Sequence, residues 1–521
     1  MGAMRRAGGA GIAIPRPVTA YTALPRRRLP LQDTTLPATT DASIPPNVAP
    51  APRPSREVSI ALLVAAAFFM ENLDGTIITT AVPAMAHDFG VAAVDLNLGV
   101  SAYLLTLGVL IPISGWVADR IGARTVFAAA IVVFTVASLL CALADSLGAF
   151  VAMRILQGTG GAMMVPVGRL VVLRATPKER MITAIAILTW PALVAPVLGP
   201  PLGGFITTYA SWRWIFYLNL PLGVLALAAA LWLIPNEKAH EPRPFDWRGF
   251  ALTGGGLFGV LWAVEVISRP DMQWCEVASA LVPGVLLLAA AVVHMHRAAH
   301  PMLSLSALRV PTFAVTFWGG SLFRMSTGAV PFLLPLLFQV GFGLDAFQAG
   351  MLVLSVFAGN LLMKPLTTPV LRYFGFRPVL IGNAVLNAML LAAVALLTPS
   401  TPVWLIATLL FVGGMTRSMQ FTALNTIAFA DIPQPQMSAA NTLFSTAFQL
   451  AMGLGIALGA VAIRLGGWAA PHLGLAQTPA ASFRLAFVVV ALVALLCLVD
   501  SWRLARDAGD HVSRPQRKPA A

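Results

Sequence analysis

Residues Glu71–Met85 read ENLDGTIITTAVPAM and follow the apolar run IALLVAAAFFM. Two carboxylates, Glu71 and Asp74, therefore stand inside a stretch suited to hydrocarbon. On insertion scales an acid at the centre of a membrane helix costs about 2.5–3.5 kcal/mol, so such residues are functional by default. Arg154 repeats the anomaly: it opens RILQGTGGAMMVPVG, with Gln157 three residues on and hence on the same helix face. Arg324 and Arg417 interrupt later apolar runs in the same way. A buried carboxyl group that gains and loses an arginine contact between two conformations releases and reloads a proton. That is the chemistry these residue types offer.

The elements that must position them are membrane helices. Of 521 residues, 58% are hydrophobic and 11% charged, against about 25% charged in soluble domains. Apolar stretches of about 20 residues recur, each long enough to cross a hydrocarbon core about 30 Å thick. Six spans are expected near 58–84, 96–118, 124–144, 148–173, 181–208 and 213–235. Two follow near 249–268 and 275–296, and six more near 311–338, 346–371, 376–398, 402–430, 437–466 and 483–503. The expected fold is thus an all-α polytopic membrane protein with 14 transmembrane helices.

The net charge of +13 lies mostly between these runs, so it reads as topogenic charge and not as a nucleic-acid surface. Arg120, Arg124, Lys178, Arg180, Arg248, Arg297, Arg372 and Arg377 fall on the side shared by both termini. By the positive-inside rule that side is cytoplasmic. Residues 1–56 form a basic, Pro-rich tail with the composition of a disordered segment, and 505–521 form a second cytoplasmic tail. Cys141, Cys275 and Cys497 are far apart and have no metal-ligand spacing. No nucleotide loop or nucleophile–base grouping is present in the sequence, which argues against an enzyme and a cofactor.

The chain also repeats itself. DRIGARTV, after the second span, matches RYFGFRPV, after the tenth: Gly122 and Gly375, Arg124 and Arg377, Val126 and Val379 share one offset of 253 residues. This divides the chain into a six-helix bundle at 57–236, a linker with two extra helices at 237–298 and a second six-helix bundle at 299–504. Repeated halves with a midplane site mark transporters. Within GWVADRIGARTVF, Gly115 permits close helix approach and Gly122 a tight turn, while Asp119 caps the next helix or pairs with a cation. The fifth span carries WPALVAPVLGPPLGGFI, where Pro196, Pro200 and Pro201 are expected to bend the helix and Gly199, Gly203 and Gly204 to pack it closely.

Together these stretches resemble the major facilitator superfamily, and within it the fourteen-helix drug:proton antiporters of the EmrB/QacA type. The resemblance runs from about Glu57 to Arg506. GWVADRIGARTV is similar to the superfamily's loop signature, RILQGTGGA to its fourth-helix signature and GPPLGG to the antiporter signature of helix five. LDGTIITTAVP and WRWIFYLNLPLG are similar to segments of the fourteen-helix group. The second loop departs from the first, with Arg372 where Asp119 stands. The resemblance implies proton-coupled export of drugs or other amphipathic or cationic molecules, driven by a proton gradient and with no cofactor. It also implies a monomer in the cytoplasmic membrane, with a periplasmic accessory protein where the host has two membranes. Export or symport of a specific metabolite or siderophore is the alternative.

Helix rise sets depths. Glu71 and Asp74 fall about 10 and 6 Å from the outer face and Arg154 about 9 Å. An Asp74–Arg154 or Glu71–Arg154 contact is therefore expected, since the resemblance implies that the first and fourth helices line a central cavity. The 253 offset carries Glu71 onto Arg324, and the two are expected to face each other across that cavity. Arg417 lies deep in the twelfth span and is assigned to the pathway. Lys364 and Arg169, nearer the cytoplasmic ends, read as snorkelling side chains. Of the two acids, Asp74 is the expected proton carrier.

Overall fold

The computed structural model describes residues 56–91, 93–236, 244–269, 272–472 and 479–513. Residues 1–55 of the expected basic tail and the last eight residues lie outside these. The described elements are helical throughout. In chain order, the first half comprises α1 (Arg56–Phe89), α2 (Asn97–Ile121), α3 (Ala123–Leu143), α4 (Leu147–Ala175), α5 (Met181–Tyr209) and α6 (Trp214–Leu233). Then come α7 (Trp247–Ser268) and α8 (Trp274–Arg297). The second half comprises α9 (Pro311–Gly341), α10 (Ala346–Phe374), α11 (Phe376–Val394), α12 (Val403–Ala430), α13 (Met437–His472) and α14 (Pro479–Arg503).

Twelve of these are long and apolar enough to cross a membrane. The other two, α5 and α12, have 29 and 28 residues, which at 1.5 Å per residue also exceeds a bilayer core. Polar residues such as Arg417, Gln420 and Asn425 dilute the apolar character of α12. Large apolar side chains on outward faces, among them Leu225, Trp232, Leu396 and Leu492, are exposed. That pattern suits lipid contact and would be an aggregation hazard in water.

The halves are built alike. In the first, α1 packs on α4, α5 and α6, α4 on α2 and α3, and α3 on α6; in the second, α9, α12, α13, α14, α10 and α11 repeat those pairings in the same order. The repeat extends to the turns. Gly122 ends α2 with φ +107°, and Gly375 ends α10 with φ +80°; their N–H groups donate to Ala118 O and Leu371 O. Only glycine adopts such backbone without strain. One helix end, one turn and the next helix start thus recur at the 253 offset.

The α7–α8 hairpin lies outside both halves and α7 bears on α2 and α13. Leu261 of α7 reaches Gly108 on α2 and Gly453 on α13, where any side chain would collide with it. Arg464 of α13 donates to the carbonyls of Ile267 and Arg269, capping the end of α7. At the other end Asp246 caps the helix start at Gly249 N and pairs with His294 at 2.8 Å. Burial raises the Asp246 carboxyl, but the Gly249 N–H, the His294 ring and the Met302 N–H outweigh it and hold the group below its ordinary range.

The end carrying Arg120, Arg124 and Lys178 is called the basic end below. Among the described residues, every hydrogen bond joining the two halves lies in that half of the bundle. Ser438 Oγ donates to Gly115 O, Asn441 Nδ2 to Pro166 O at 2.8 Å and Lys178 Nζ to Ala430 O at 2.6 Å. Arg169 reaches Ser445, and Lys364 Nζ donates to Thr189 Oγ1 at 2.7 Å. The halves are thus tied to each other at the basic end.

Candidate functional site

The α4 glycines decide how close the site's helices come. A Cβ on Gly158 would strike Tyr103 O and Thr106 of α2 at 2.8–2.9 Å, and one on Gly160 would strike Phe134 N of α3 at 2.8 Å. On α5, Gly199 and Gly203 lie against Thr76 and Thr80 of α1, whose hydroxyl oxygens would be 2.3 Å from any added Cβ; Gly204 faces open space. GPPLGG is thus the groove that holds α1 in register beside its acids, with Gly204 outside that contact. The side chain of Pro200 is outside the described ones, and the backbone there is helical.

Within this packing Asp74, Arg154 and Gln157 meet. Arg154 Nη1 donates to Asp74 Oδ2 at 2.7 Å and also to Gln157 Oε1. Gln157 Nε2 donates to Asp74 Oδ1 at 2.9 Å and to Ser138 Oγ at 2.8 Å. Asn219 Nδ2, from α6, does the same at 2.9 and 3.1 Å. Asp74 is 2% exposed and Arg154 0%, so the cluster is sealed inside the first half and neither residue lines an open cavity. The expected Asp74–Arg154 pair is present. Ser138 and Asn219 were not singled out in the sequence, although each is a polar residue inside an apolar run.

Glu71 is placed differently. It is half-buried, and its Oε2 is buried with no hydrogen-bond partner. Its neighbours are Tyr103 of α2 and Gly161 of α4: a Cβ on Gly161 would sit 3.1 Å from the Tyr103 hydroxyl and 3.5 Å from Glu71 Cδ. The Tyr103 hydroxyl is likewise unpartnered, while its ring lies 4.3 Å from the Arg154 guanidinium. Tyr103, unforeseen in the sequence, thus links the free acid to the paired one. A buried ionised oxygen with only the Tyr103 hydroxyl nearby to serve it is costly, and a neutral acid less so. The two acids of α1 thus stand in unlike settings, Asp74 among donors and Glu71 beside a single hydroxyl.

The expected Glu71–Arg324 encounter does not occur. Arg324 is 1% exposed on α9 and donates to Thr316 O at 3.1 Å and Asn425 Oδ1 at 3.3 Å, over the rings of Phe444 and Phe448. Equal positions in the repeats share a depth, but each side chain turns into its own half. Arg417 lies inside the second half beside a small cavity with Thr327 and Asn387. Lys364, read from sequence as a snorkelling side chain, is 6% exposed and bonds Thr422 and, across the halves, Thr189. Its helix turns it inward, where hydroxyls replace headgroups as acceptors.

At the basic end Gly115 abuts α13, where an added Cβ would meet Thr442 Oγ1 at 2.1 Å. Asp119 pairs with Arg174 of α4 at 2.9 Å and not with a helix start. Arg120 stacks on Trp116 at 5.6 Å, and Arg124 lies in the first turn of α3. At the opposite end Asp88 accepts from the Trp212 indole at 2.7 Å and from Arg213 at 2.8 Å, and these two bonds hold its carboxyl below the usual range. Among the described residues no cluster of His, Cys, Asp and Glu has the makings of a metal site.

Two helical halves of matching pairings, tied together at one end and carrying buried charges, define a membrane transporter. The Major Facilitator Superfamily model matches residues 64–456 and 316–521, and the chain belongs to that family. It is 36% identical over 447 residues to the "Putative multidrug resistance protein MdtD" of Serratia proteamaculans (strain 568), covering 85% of this chain and 93% of that one. Among solved structures, the human organic anion transporter MFSD10 (TETRAN) superposes with a TM-score of 0.60 over 86% of this chain and all of its own. The proton:xylose symporter XylE gives 0.59 over 88% and 98%. Both are 15% identical to this chain, so they show the fold alone.

Proposed function

We propose that this integral membrane protein is a proton-coupled exporter of amphipathic small molecules, working by alternating access in the cytoplasmic membrane with both termini inside. Relatives carrying a multidrug-resistance name at 34–36% identity over most of the chain support export. The basic loops support the orientation. The observation that carries coupling is the pair of acids on α1, one saturated with donors and one bearing a free buried oxygen.

Asp74, Arg154, Gln157, Asn219 and Ser138 keep the first half rigid, and Glu71 exchanges the proton. The expectation from sequence gave Asp74 that role. Protonating Asp74 would strand Arg154 without its counter-ion, and breaking a buried pair on one side costs about 3–5 kcal/mol. Glu71 takes up a proton with no such loss. Movement of the halves about the midplane then exposes it to either side. The energy comes from the proton gradient, the unit is a monomer, and a periplasmic accessory protein completes export where a second membrane is present.

The test is proton flux in inverted membrane vesicles. Adding a transported compound to acidified vesicles is expected to dissipate the pH gradient only when the protein is present. Compound movement in the same direction as the proton would instead identify a symporter.

A further inference from the structure

Two arginines whose guanidinium groups meet over one ring on α13 are unexplained by proton exchange. Arg169 comes from α4 in the first half and Arg324 from α9 in the second, and both lie over one aromatic pair on α13. Their Cζ atoms are 4.9 and 4.7 Å from the Phe444 centroid and 6.0 and 5.4 Å from that of Phe448. Arg169 has one long bond, 3.5 Å to Ser445 Oγ. Arg324 donates to Thr316 O and Asn425 Oδ1, and its Nε is buried with no partner.

Among the described residues neither guanidinium forms an ion pair. The surrounding carboxylates are committed elsewhere. Asp500 on α14, which touches α9 at Gly319, pairs with Arg503 at 3.4 Å; Asp431 accepts from Thr312 at 2.9 Å. Glu71 faces Tyr103, and Asp74 pairs with Arg154. Ring faces soften the repulsion between two like charges, and they do not cancel it.

We propose that Arg169 and Arg324 bind an oxyanion, the carboxylate or sulfonate of an amphipathic aromatic substrate, and that this anion draws the two halves together at the basic end. The inference rests on the export reading and specifies its substrate class. Guanidinium groups take such oxyanions through paired N–H donors, and the free Arg324 Nε is such a donor. Phe444 and Phe448 supply the apolar face for the rest of the molecule. One arginine belongs to each half, so an empty site favours opening at the basic end by repulsion and a filled site favours closure.

The experiment uses the full chain in lipid nanodiscs, with the dianionic dye fluorescein and the cationic dye ethidium as probes read by anisotropy at low salt. Fluorescein is expected to bind, with affinity reduced at least tenfold by Arg169→Gln and by Arg324→Gln and partly restored by Arg324→Lys. Ethidium binding is expected to be unchanged by these variants. Arg169 is half-buried and makes a single weak bond, so its variant reports even where Arg324→Gln misfolds. Fluorescein binding that ignores both substitutions, or binding of ethidium alone, would overturn the proposal. Fluorescein binding that depends on both arginines, without pH-driven transport in proteoliposomes, would sink the export reading while leaving the anion site standing.

Discussion

The two halves share their helix pairings and their turns, yet they bury different sets of charges. The first holds Glu71 and Asp74 with Arg154 as counter-ion. The second buries Arg324 and Lys364 and half-buries Arg417, with no ion pair to any of the three among the described residues. At the 253 offset the contrast falls on one residue pair, Glu71 against Arg324. The repeated pairings thus carry different side-chain chemistry in the two halves.

The largest effect should come from splitting the Asp74–Arg154 pair. Arg154→Ala leaves Asp74 buried without its cation, a loss of about 3–5 kcal/mol. Thermal unfolding in detergent is expected to shift by many degrees and transport to vanish. Arg417→Gln in the other half removes no counter-ion and should unfold close to wild type. Equal losses in both halves would erase the contrast.

Next is the α1–α5 groove. Gly203→Val drives a side chain into Thr80 and Ile77, and overpacking of that kind costs about 1–3 kcal/mol. Gly204→Ala, one residue on, faces open space and should be silent in the same unfolding assay. A smaller effect compares the turns. Alanine at either left-handed glycine costs about 1–2 kcal/mol, and Gly122→Ala should exceed Gly375→Ala. A Cβ at Gly122 meets Asn236 at 2.3 Å, whereas the nearest atom at Gly375 is 3.9 Å away.

The smallest effect is on pH. The Asp246 carboxyl is depressed in the folded protein, so its contribution is present above its unfolded value of about 3.9 and lost as pH falls through the folded one. Acidification below about pH 4 should therefore loosen the α7–α8 hairpin, read as faster proteolysis between α6 and α7. Asp246→Asn should remove most of that pH dependence.

Much of this was legible in the sequence. Hydropathy and arginine placement located the helices because each span must satisfy the bilayer alone. Axial depth, with rise fixed at about 1.5 Å per residue, put both acids of α1 level with Arg154 and left open which of them it meets. Rotation about the helix axis was not legible. It depends on packing, here on which glycine faces which ridge, and it is why Glu71 turns to Tyr103 and misses Arg324. The same rotation turns Lys364 inward and brings Asn219 from α6 onto Asp74.

The central claim is that Glu71, and not Asp74, exchanges the proton. Glu71→Gln protein in proteoliposomes measures it directly, with transport driven either by a pH gradient or by substrate exchange alone. Exchange at the wild-type rate with pH-driven transport abolished is the expected result, in protein that unfolds at the wild-type temperature. Full pH-driven transport by Glu71→Gln would contradict the account and return the role to Asp74.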